Sequence, residues 1–265
     1  MTLGYLDRVI RFFSGLGLIL IYLPIFSLVS AAFFLPDPVD LSISHFSFVG
    51  FQSALNHQEL QLALFSSIKI AFMTSVTTTF LSFILAYALQ GKSEKFIQIC
   101  RQIFSLPLML PEIIIGLSLL IWFVFIHISL GVVSLWISHV SFTLPYAVVL
   151  LTLGIESIET NLFEAGKDLG ASTFVIFKKI TVPLLKPSLI AVFLLSFVIS
   201  FDDFLISYFT NGPGNDTLPV KLYSLMRFGM SPELKAISTI ILGISFIVTL
   251  LLFKLLPKKV DSRKV

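Results

Sequence analysis

Residues 187–209 read PSLIAVFLLSFVISFDDFLISYF, and Asp202 and Asp203 are the only charged residues in this stretch. A helix needs about 20 mainly apolar residues to cross the hydrocarbon core of a membrane. The whole chain shows the same bias, because 56% of its residues are hydrophobic and only 12% are charged. A soluble domain carries roughly a quarter charged residues. The composition therefore predicts a protein whose main solvent is lipid.

Five further stretches have a similar length and composition. Lipid offers no hydrogen-bond partner to free backbone N–H and C=O groups, so each stretch must form a helix. The first one along the chain follows Arg8 and Arg11 like a signal peptide, but it continues from Phe12 to Leu35 without an A-x-A cleavage site, which indicates a retained span. We therefore expect an all-α polytopic membrane protein in which residues 1–265 form a single transmembrane domain. The six predicted transmembrane helices cover residues about 10–35, 61–89, 103–126, 130–153, 187–209 and 236–256.

Lysine and arginine are unevenly distributed between the loops, and this asymmetry predicts the orientation. Cytoplasmic loops of membrane proteins are enriched in both residue types. The loop from Pro36 to Leu60 has neither, whereas a cytoplasmic N-terminus places 14 of the 18 basic residues on the cytoplasmic side. Both termini are therefore expected in the cytoplasm. The 14 residues are Arg8, Arg11, Lys92, Lys95, Arg101, Lys167, Lys178, Lys179, Lys186, Lys254, Lys258, Lys259, Arg263 and Lys264.

The longest cytoplasmic connection, residues 155–186, contains a predicted short helix over about 160–170. Asn161 can cap its N-terminus, and Gly170 is placed to end it. One side of this helix carries apolar and small residues, which is typical of a segment that docks into a groove on another protein. A helix lying on the membrane surface would have the same composition. The residues of this side are Leu162, Phe163, Ala165, Gly166 and Leu169.

The spacing of particular residues in this connection favours the docking helix. Glu164 and Ala165 are followed by Gly170 six residues after the glutamate, by Ile180 sixteen residues after it and by Pro183 nineteen residues after it. This pattern resembles the signature of ABC importer permeases. In that family the segment forms a coupling helix that fits into a cleft of the ATPase subunit.

Two positions of the segment depart from the family signature. Gly166 stands where the signature has a second alanine, and Val182 stands where it has a leucine. Both keep a small or apolar side chain, so the docking that the resemblance implies is retained. The residues to which the resemblance assigns ATPase coupling are Glu164, Ala165, Gly166, Gly170, Ile180 and Pro183.

Several longer segments along the chain carry a narrower resemblance. They read EAGKDLGAS at 164–172, LSF at 195–197, SFDD at 200–203, TNGP at 210–213, LPVKLYS at 218–224 and GMSPE at 229–233. These segments resemble the permeases of spermidine/putrescine importers, which implies the type I importer fold and a location in the bacterial inner (plasma) membrane. The resemblance also implies a homologous second permease subunit, a periplasmic substrate-binding protein and an ABC ATPase homodimer. The ATPase binds the ATP, so this chain is expected to need no cofactor and not to be an enzyme.

Four charged residues lie in the predicted spans away from their ends, namely Lys69, Glu112, Asp202 and Asp203. Each costs roughly 2.5–3.5 kcal/mol at the bilayer centre, so such residues are usually functional. We expect Glu112 and one aspartate to line a pathway for a polycation, because ammonium groups that leave water need carboxylates or carbonyls as partners. Adjacent helical positions diverge by roughly 100°, so only one aspartate can point straight into a central path. The polyamine permeases carry acidic residues at matching positions, and the alternative is a structural ion pair with Lys69.

The third predicted span should be broken or kinked. Pro107 and Pro111 precede Glu112, and a proline inside a helix removes a backbone donor and clashes with the preceding turn. Backbone carbonyl groups near Glu112 are therefore expected to be free.

The sequence lacks the motifs of several other classes of function. Residues 91–93 (GKS) match the end of a phosphate-binding loop, but a membrane helix precedes them where that loop needs a strand, so nucleotide hydrolysis must belong to a partner. The four histidines lack metal-ligand spacing, and the basic residues flank spans instead of forming a nucleic-acid-binding face. The alternatives that stay open are an ABC permease for ferric iron, an anion or another small solute, and an ATPase-independent transporter.

Overall fold

The computed structural model describes residues 2–36, 44–89 and 91–255. Part of the loop from Pro36 to Leu60 and the end of the sixth predicted span lie outside the described residues. So do four of the predicted cytoplasmic cations, Lys258, Lys259, Arg263 and Lys264.

Within these ranges the chain is mostly helical, with one short antiparallel hairpin. Helices dominate because a backbone in lipid must satisfy its polar groups within one segment. The elements are α1 (Thr2–Phe33), β1 (Phe34–Pro36), β2 (Ser44–Phe46), α2 (Val49–Asn56), α3 (Gln58–Leu89), α4 (Glu94–Ser105), a 3₁₀ turn (Pro107–Met109), α5 (Glu112–Phe125), α6 (Val132–Glu156), α7 (Thr160–Asp168), α8 (Thr173–Ile176), a π-helical turn (Phe177–Thr181), α9 (Val182–Phe201), α10 (Leu205–Thr210), α11 (Leu218–Met226) and α12 (Pro232–Leu255).

The part of the chain that the structure describes contains five helical segments long and apolar enough to cross a membrane. A sixth candidate is the pair formed by α4 with its 3₁₀ turn and α5, whose two parts meet at an angle of 96°. The candidates follow the order of the six predicted spans, and the predicted polytopic helical fold is confirmed. The five segments are Phe13–Phe33, Gln58–Leu89, Val132–Glu156, Thr173–Phe201 and Pro232–Lys254.

The bend of the sixth candidate lies at the two prolines that predicted it. Pro107 opens the 3₁₀ turn, and α5 begins directly after Pro111. Leu110 has an extended backbone with ψ of 139°, which is the conformation that a following proline imposes. The predicted break is therefore confirmed, and it places Glu112 in the first turn of α5.

The fifth predicted span is not one continuous helix. α9 ends at Phe201 and α10 begins at Leu205, after a break at residues 202–204. The prediction of a single helix over 187–209 is therefore wrong beyond Phe201. Aspartate side chains compete with the helix for backbone hydrogen bonds, and Asp203 bonds to N–H groups of the following turn.

The chain forms two compact units. The first comprises Met1–Gln61 and Leu222–Gly243, and the second comprises Leu62–Lys221 and Ile244–Val265. The single transmembrane domain over residues 1–265 stays a prediction.

Aromatic side chains organise the hairpin of the first unit. β1 and β2 pair antiparallel, with Phe34 opposite Phe46. The ring of Phe33 stacks on that of Phe46 at a centroid distance of 5.8 Å and lies 4.7 Å from that of Phe51. Aromatic pairs at such distances contribute about 0.5–1.5 kcal/mol beyond their buried area. The hairpin is therefore held by ring contacts as well as by its backbone hydrogen bonds.

The core of the second unit lies between α6 and α9. Leu151 and Leu185 have no exposed surface and belong to one buried apolar cluster. Gly154 lies opposite Ser188, where an added Cβ atom would come within 2.5 Å of the serine oxygen. Close approach of helices through small residues is typical of membrane proteins. The other buried members of the cluster are Ala86, Ala147, Ile155, Ile158 and Val192.

One face of α3 is buried and carries small hydroxyl side chains, and the opposite face carries exposed phenylalanines. The hydroxyl of Thr78 lies 2.8 Å from that of Thr143 on α6, which fixes the rotation and the level of α3 against α6. In lipid no hydrophobic force drives bulky residues inward, so small residues occupy helix contacts. The buried face contains Ser67, Thr74, Ser75, Thr78 and Ser82, and the exposed face contains Phe65, Phe72 and Phe80.

Candidate functional site

The three acidic residues predicted for the spans meet at one cavity of about 370 Å³. Glu112 comes from the first turn of α5, and Asp202 and Asp203 come from the break between α9 and α10. Both helix breaks therefore lie at this cavity. Its remaining lining residues are aromatic or aliphatic, namely Phe142, Tyr146, Val198, Ile199, Phe204 and Leu205.

Glu112 and Asp202 are the two acids that are exposed at the cavity. Asp202 Oδ1 accepts a hydrogen bond of 2.9 Å from Ser245 Oγ on α12. Within the described part of the chain, neither carboxylate forms an ion pair. Charges interact more strongly in a low-dielectric environment than in water, so these carboxylates provide an attractive site for cations.

Asp203 is turned into the protein, and only 7% of its surface is exposed. Its Oδ1 accepts the N–H of Ile206 at 3.3 Å, and its Oδ2 accepts the N–H of Ser207 at 2.7 Å. These N–H groups belong to the first turn of α10, where a helix leaves its donors without internal partners. The two neighbouring aspartates therefore differ, since Asp202 is exposed at the cavity and Asp203 caps α10.

His139 belongs to this region, and the sequence reasoning gave it no role. Its side chain on α6 is 1% exposed. Nδ1 lies 2.6 Å from Ser200 Oγ, and Nε2 lies 2.9 Å from Ser207 Oγ and 3.4 Å from Asp203 Oδ2. The sequence contained a signal for such a role. His139 is an ionisable residue inside the apolar span 130–153, and such residues usually have a specific partner.

Lys69 does not pair with the acids of the cavity. Its side chain is exposed on α3 and forms no ion pair or hydrogen bond with any residue in the described ranges. Thr78 of α3 contacts Thr143 of α6, the residue that follows the cavity residue Phe142. Lys69 lies nine residues before Thr78, or about 14 Å away along α3. The alternative of a structural ion pair with Lys69 is therefore wrong. An exposed lysine in a span can extend its ammonium group towards the lipid headgroups.

The predicted coupling helix corresponds to α7, Thr160–Asp168. It ends as expected, since Gly170 has a positive φ of 75° and donates its N–H to Lys167 O at 2.8 Å, a termination that glycine favours. The cap predicted at Asn161 is wrong. The N-cap residue is Glu159, whose backbone has a non-helical ψ of 127°, and the helix begins at Thr160. Asn161 is therefore already inside the helix, and no side chain caps the N-terminus.

α7 has one side that is exposed and one that packs on its own chain. Leu162 is 41% exposed and Leu169 is 87% exposed. Glu164 and Ala165 are also exposed. Of the predicted coupling residues on this helix, these two are therefore available to a partner, together with two large apolar side chains.

The inner side of α7 is held by other residues of the same signature. A Cβ atom at Gly166 would lie 3.2 Å from Ile176 Cγ1 and 3.4 Å from Ile180 Cδ1. Phe163 packs against the buried cluster of the second unit. Ile180 belongs to the π-helical turn, a rare element that is frequent at functional sites, and Pro183 lies in the first turn of α9. The signature therefore contains residues that face outward and residues that hold α7 in place.

The chain is similar in sequence to permease subunits of bacterial transport systems. The family model described as "Binding-protein-dependent transport system inner membrane component" matches residues 79–264. The spermidine/putrescine transport system permease protein PotC of Haemophilus influenzae is 35% identical over 231 residues, which cover 87% of this chain and 90% of that protein. The putrescine transport system permease protein PotI of Escherichia coli is 36% identical over 163 residues, which cover 59% of this chain and 58% of that protein.

Solved structures share the fold at much lower identity. A bacterial ABC transporter involved in the import of the acidic polysaccharide alginate matches with a TM-score of 0.69 and 16% identity over 95% of each chain. The order of the helices and this structural likeness agree with the family match. The chain belongs to the family of binding-protein-dependent transport system inner membrane components and is a multi-pass protein of the inner membrane.

Proposed function

We propose that this chain is the permease subunit of a polyamine importer, which carries spermidine or putrescine inward and is driven by ATP hydrolysis in a separate subunit. The observation that carries the proposal is the cavity at which Glu112 and Asp202 are exposed in an otherwise apolar part of the chain. The names of the similar proteins PotC and PotI support the same substrate class.

The lining of the cavity matches both chemical parts of a polyamine. An ammonium group that leaves water needs other oxygen atoms as partners, and the two exposed carboxylates supply them. The cavity also has the aromatic residues Phe142, Tyr146 and Phe204, and an aromatic face attracts a cation by about 0.5–2 kcal/mol. A polyamine joins several ammonium groups by methylene chains, so carboxylates among apolar residues suit it.

The anion and ferric iron alternatives fit this cavity less well. No lysine or arginine is among the described residues that line it, whereas anion pores are lined by cationic side chains. Lys69, the cation inside the second predicted span, is exposed on α3 and does not line the cavity. In the ranges that the structure describes, the acids also form no group of three or more that could hold a metal ion.

The proposal includes the partners of an ABC importer, namely an ATPase homodimer, a homologous second permease and a periplasmic substrate-binding protein. The exposed side of α7 supports the ATPase contact, because Leu162 and Leu169 are apolar side chains without cover in the isolated chain and such helices dock into grooves. The distribution of lysine and arginine supports a cytoplasmic location of α7 and of both termini. Closure of the ATPase pair then draws the coupling helices together and opens the permease pair outward, and hydrolysis resets it.

The test is uptake of labelled spermidine by cells that lack their own polyamine importers. The cells express this chain with its cognate ATPase, second permease and binding protein. We expect ATP-dependent uptake that Asp202→Asn and Glu112→Gln each lower by roughly 10- to 100-fold, because hydrogen bonds to charged groups contribute about 1.5–3 kcal/mol. The purified variant complexes should keep their subunits and their ATP hydrolysis.

Glu94→Gln is the matched control, since Glu94 is an exposed acid on α4 that does not line this cavity. It should transport at the wild-type rate. An assembled complex that hydrolyses ATP but imports neither spermidine nor putrescine would refute the polyamine assignment. The membership of the permease family would be unaffected by that result.

A further inference from the structure

The break between α9 and α10 is tied to α6 through one buried imidazole. We infer that His139 is a positioning residue of the transport pathway, which holds this break so that Asp203 caps α10 and Asp202 is exposed at the cavity. The inference rests on the proposed function for its effect on transport. Its structural part concerns the break alone and can be tested without any substrate.

Both ring nitrogens of His139 have partners although the side chain is almost fully buried. A neutral imidazole has one donor and one acceptor nitrogen. Nε2–H can donate to Ser207 Oγ at 2.9 Å, while Nδ1 accepts the hydroxyl proton of Ser200 at 2.6 Å. Asp203 Oδ2 lies 3.4 Å from Nε2. The ring therefore satisfies its own polar atoms and lies beside a buried carboxylate.

The partners of His139 lie on opposite sides of the break. Ser200 belongs to the last turn of α9, and Ser207 belongs to α10. His139 itself is on α6, which packs against α9 in the core of the second unit. One side chain of α6 therefore fixes the end of one helix and the start of the next.

This arrangement gives the two neighbouring aspartates different surroundings. The oxygens of Asp203 already accept two backbone N–H groups and face the imidazole. Asp202 is bound by Ser245 Oγ from α12 and is exposed. Without the imidazole, the hydroxyl groups of Ser200 and Ser207 would each lose a buried partner, and the first turn of α10 would lose its anchor to α6. The geometry at Asp202 would then change although no cavity residue had been replaced.

The transport test combines substitutions in the full importer complex. His139→Leu should lower spermidine uptake by about 5- to 100-fold, the range for leaving a buried polar group without its partner. Adding Ser207→Ala should cause little further loss, because both changes break the contact between Nε2 and Ser207 Oγ, whereas adding Asp202→Asn should multiply the losses. His139→Gln, whose amide can donate to Ser207 Oγ, should recover part of the rate. Wild-type uptake by His139→Leu, or multiplied losses with Ser207→Ala, would overturn the inference.

A second readout follows the break directly and needs no transported solute. Ile206 is fully buried in the first turn of α10, so a thiol introduced by Ile206→Cys in a Cys100→Ser background should resist a small methanethiosulfonate reagent. His139→Leu should raise the labelling rate by about 5- to 100-fold, because local opening becomes more frequent. The control is His127→Gln, an exposed histidine just after α5, which should leave the thiol protected.

The two readouts separate failure of this inference from failure of the proposed function. A wild-type complex that hydrolyses ATP without importing polyamine refutes the substrate, and the labelling rates still decide the role of His139. Where His139→Leu does not assemble with the ATPase, the labelling rate of His139→Gln decides, and an intermediate value is expected. Equal labelling in all variants shows that His139 does not hold the break.

Discussion

Gly166 allows α7 to lie against its own chain, and we predict that Gly166→Leu weakens the coupling of ATP hydrolysis to transport. Even a methyl group at this position would lie 3.2 Å from Ile176 Cγ1 and 3.4 Å from Ile180 Cδ1. Leucine adds three more carbon atoms in the same direction. These atoms cannot enter the contact, so α7 must move away or both isoleucines must repack.

The free energy of this change can be bounded from the contacts. Extra methylene groups in a packed site cost about 1–3 kcal/mol, and the better helix propensity of leucine returns roughly 0.8 kcal/mol. The net cost of about 1 kcal/mol is small against the stability of a domain, about 5–15 kcal/mol. The chain should therefore fold, with the equilibrium constant between correctly placed and displaced α7 lowered roughly five-fold, since about 1.4 kcal/mol corresponds to a factor of ten.

The assay measures polyamine uptake and ATP hydrolysis in the same proteoliposomes containing the purified complex. Gly166→Leu should lower the ratio of polyamine imported to ATP hydrolysed, while the ATPase still co-purifies. Gly166→Ala is the matched control, because its single methyl group needs a shift of only a few tenths of an ångström at Ile176 and removes a helix-weakening glycine, about 1 kcal/mol. A wild-type ratio for Gly166→Leu would refute the idea that this contact positions α7.

Three further predictions concern local geometry. Gly170→Ala places a Cβ at φ of 75° and should cost about 1–2 kcal/mol, seen as weaker co-purification of the ATPase. Gly212→Ala would put a methyl group onto the carbonyl oxygen of Leu130, an overlap costing about 3 kcal/mol or more, seen as loss of folded protein in detergent. Thr78→Val should cost only about 0.6 kcal/mol, because Thr143 keeps its bond to a backbone carbonyl of α6, and thermal unfolding of the complex measures it.

The membrane fold could be predicted because lipid imposes one strict rule on the backbone. Six apolar stretches of sufficient length have no alternative to helix, and the positions of Pro107 and Pro111 indicated the break before α5. The ends of the fifth span could not be predicted in the same way. Residues 187–209 are apolar enough for one helix, and only the bonds of Asp203 to the next turn show why α9 ends at Phe201.

The residues of the candidate site that could be predicted are those whose residue type alone is unusual inside a membrane span. Glu112 and the aspartate pair were identified because carboxylates in a span are costly. The role of His139 depends on which face of α6 meets α10, and the sequence of a single apolar helix does not indicate its rotation. The division of α7 into an outer and an inner side likewise depends on the contact between Gly166 and Ile176, which are ten residues apart.

The break before α5 and the break between α9 and α10 have a common physical explanation. Irregular backbone within a membrane is tolerated where it is buried in protein or lines a cavity, and both breaks lie at the cavity that contains Glu112 and Asp202. The short helices α5 and α10 pack closely, because Gly116 of α5 lies where a Cβ atom would be 3.3 Å from the carbonyl oxygen of Leu205. Each helix therefore covers part of the other at this contact. Asp202 still continues the backbone hydrogen bonding of α9, through its N–H to Val198 O, and it is exposed at the cavity. Asp203 is the residue that the break turns inward to cap α10, so the discontinuity gives the two neighbouring aspartates different surroundings.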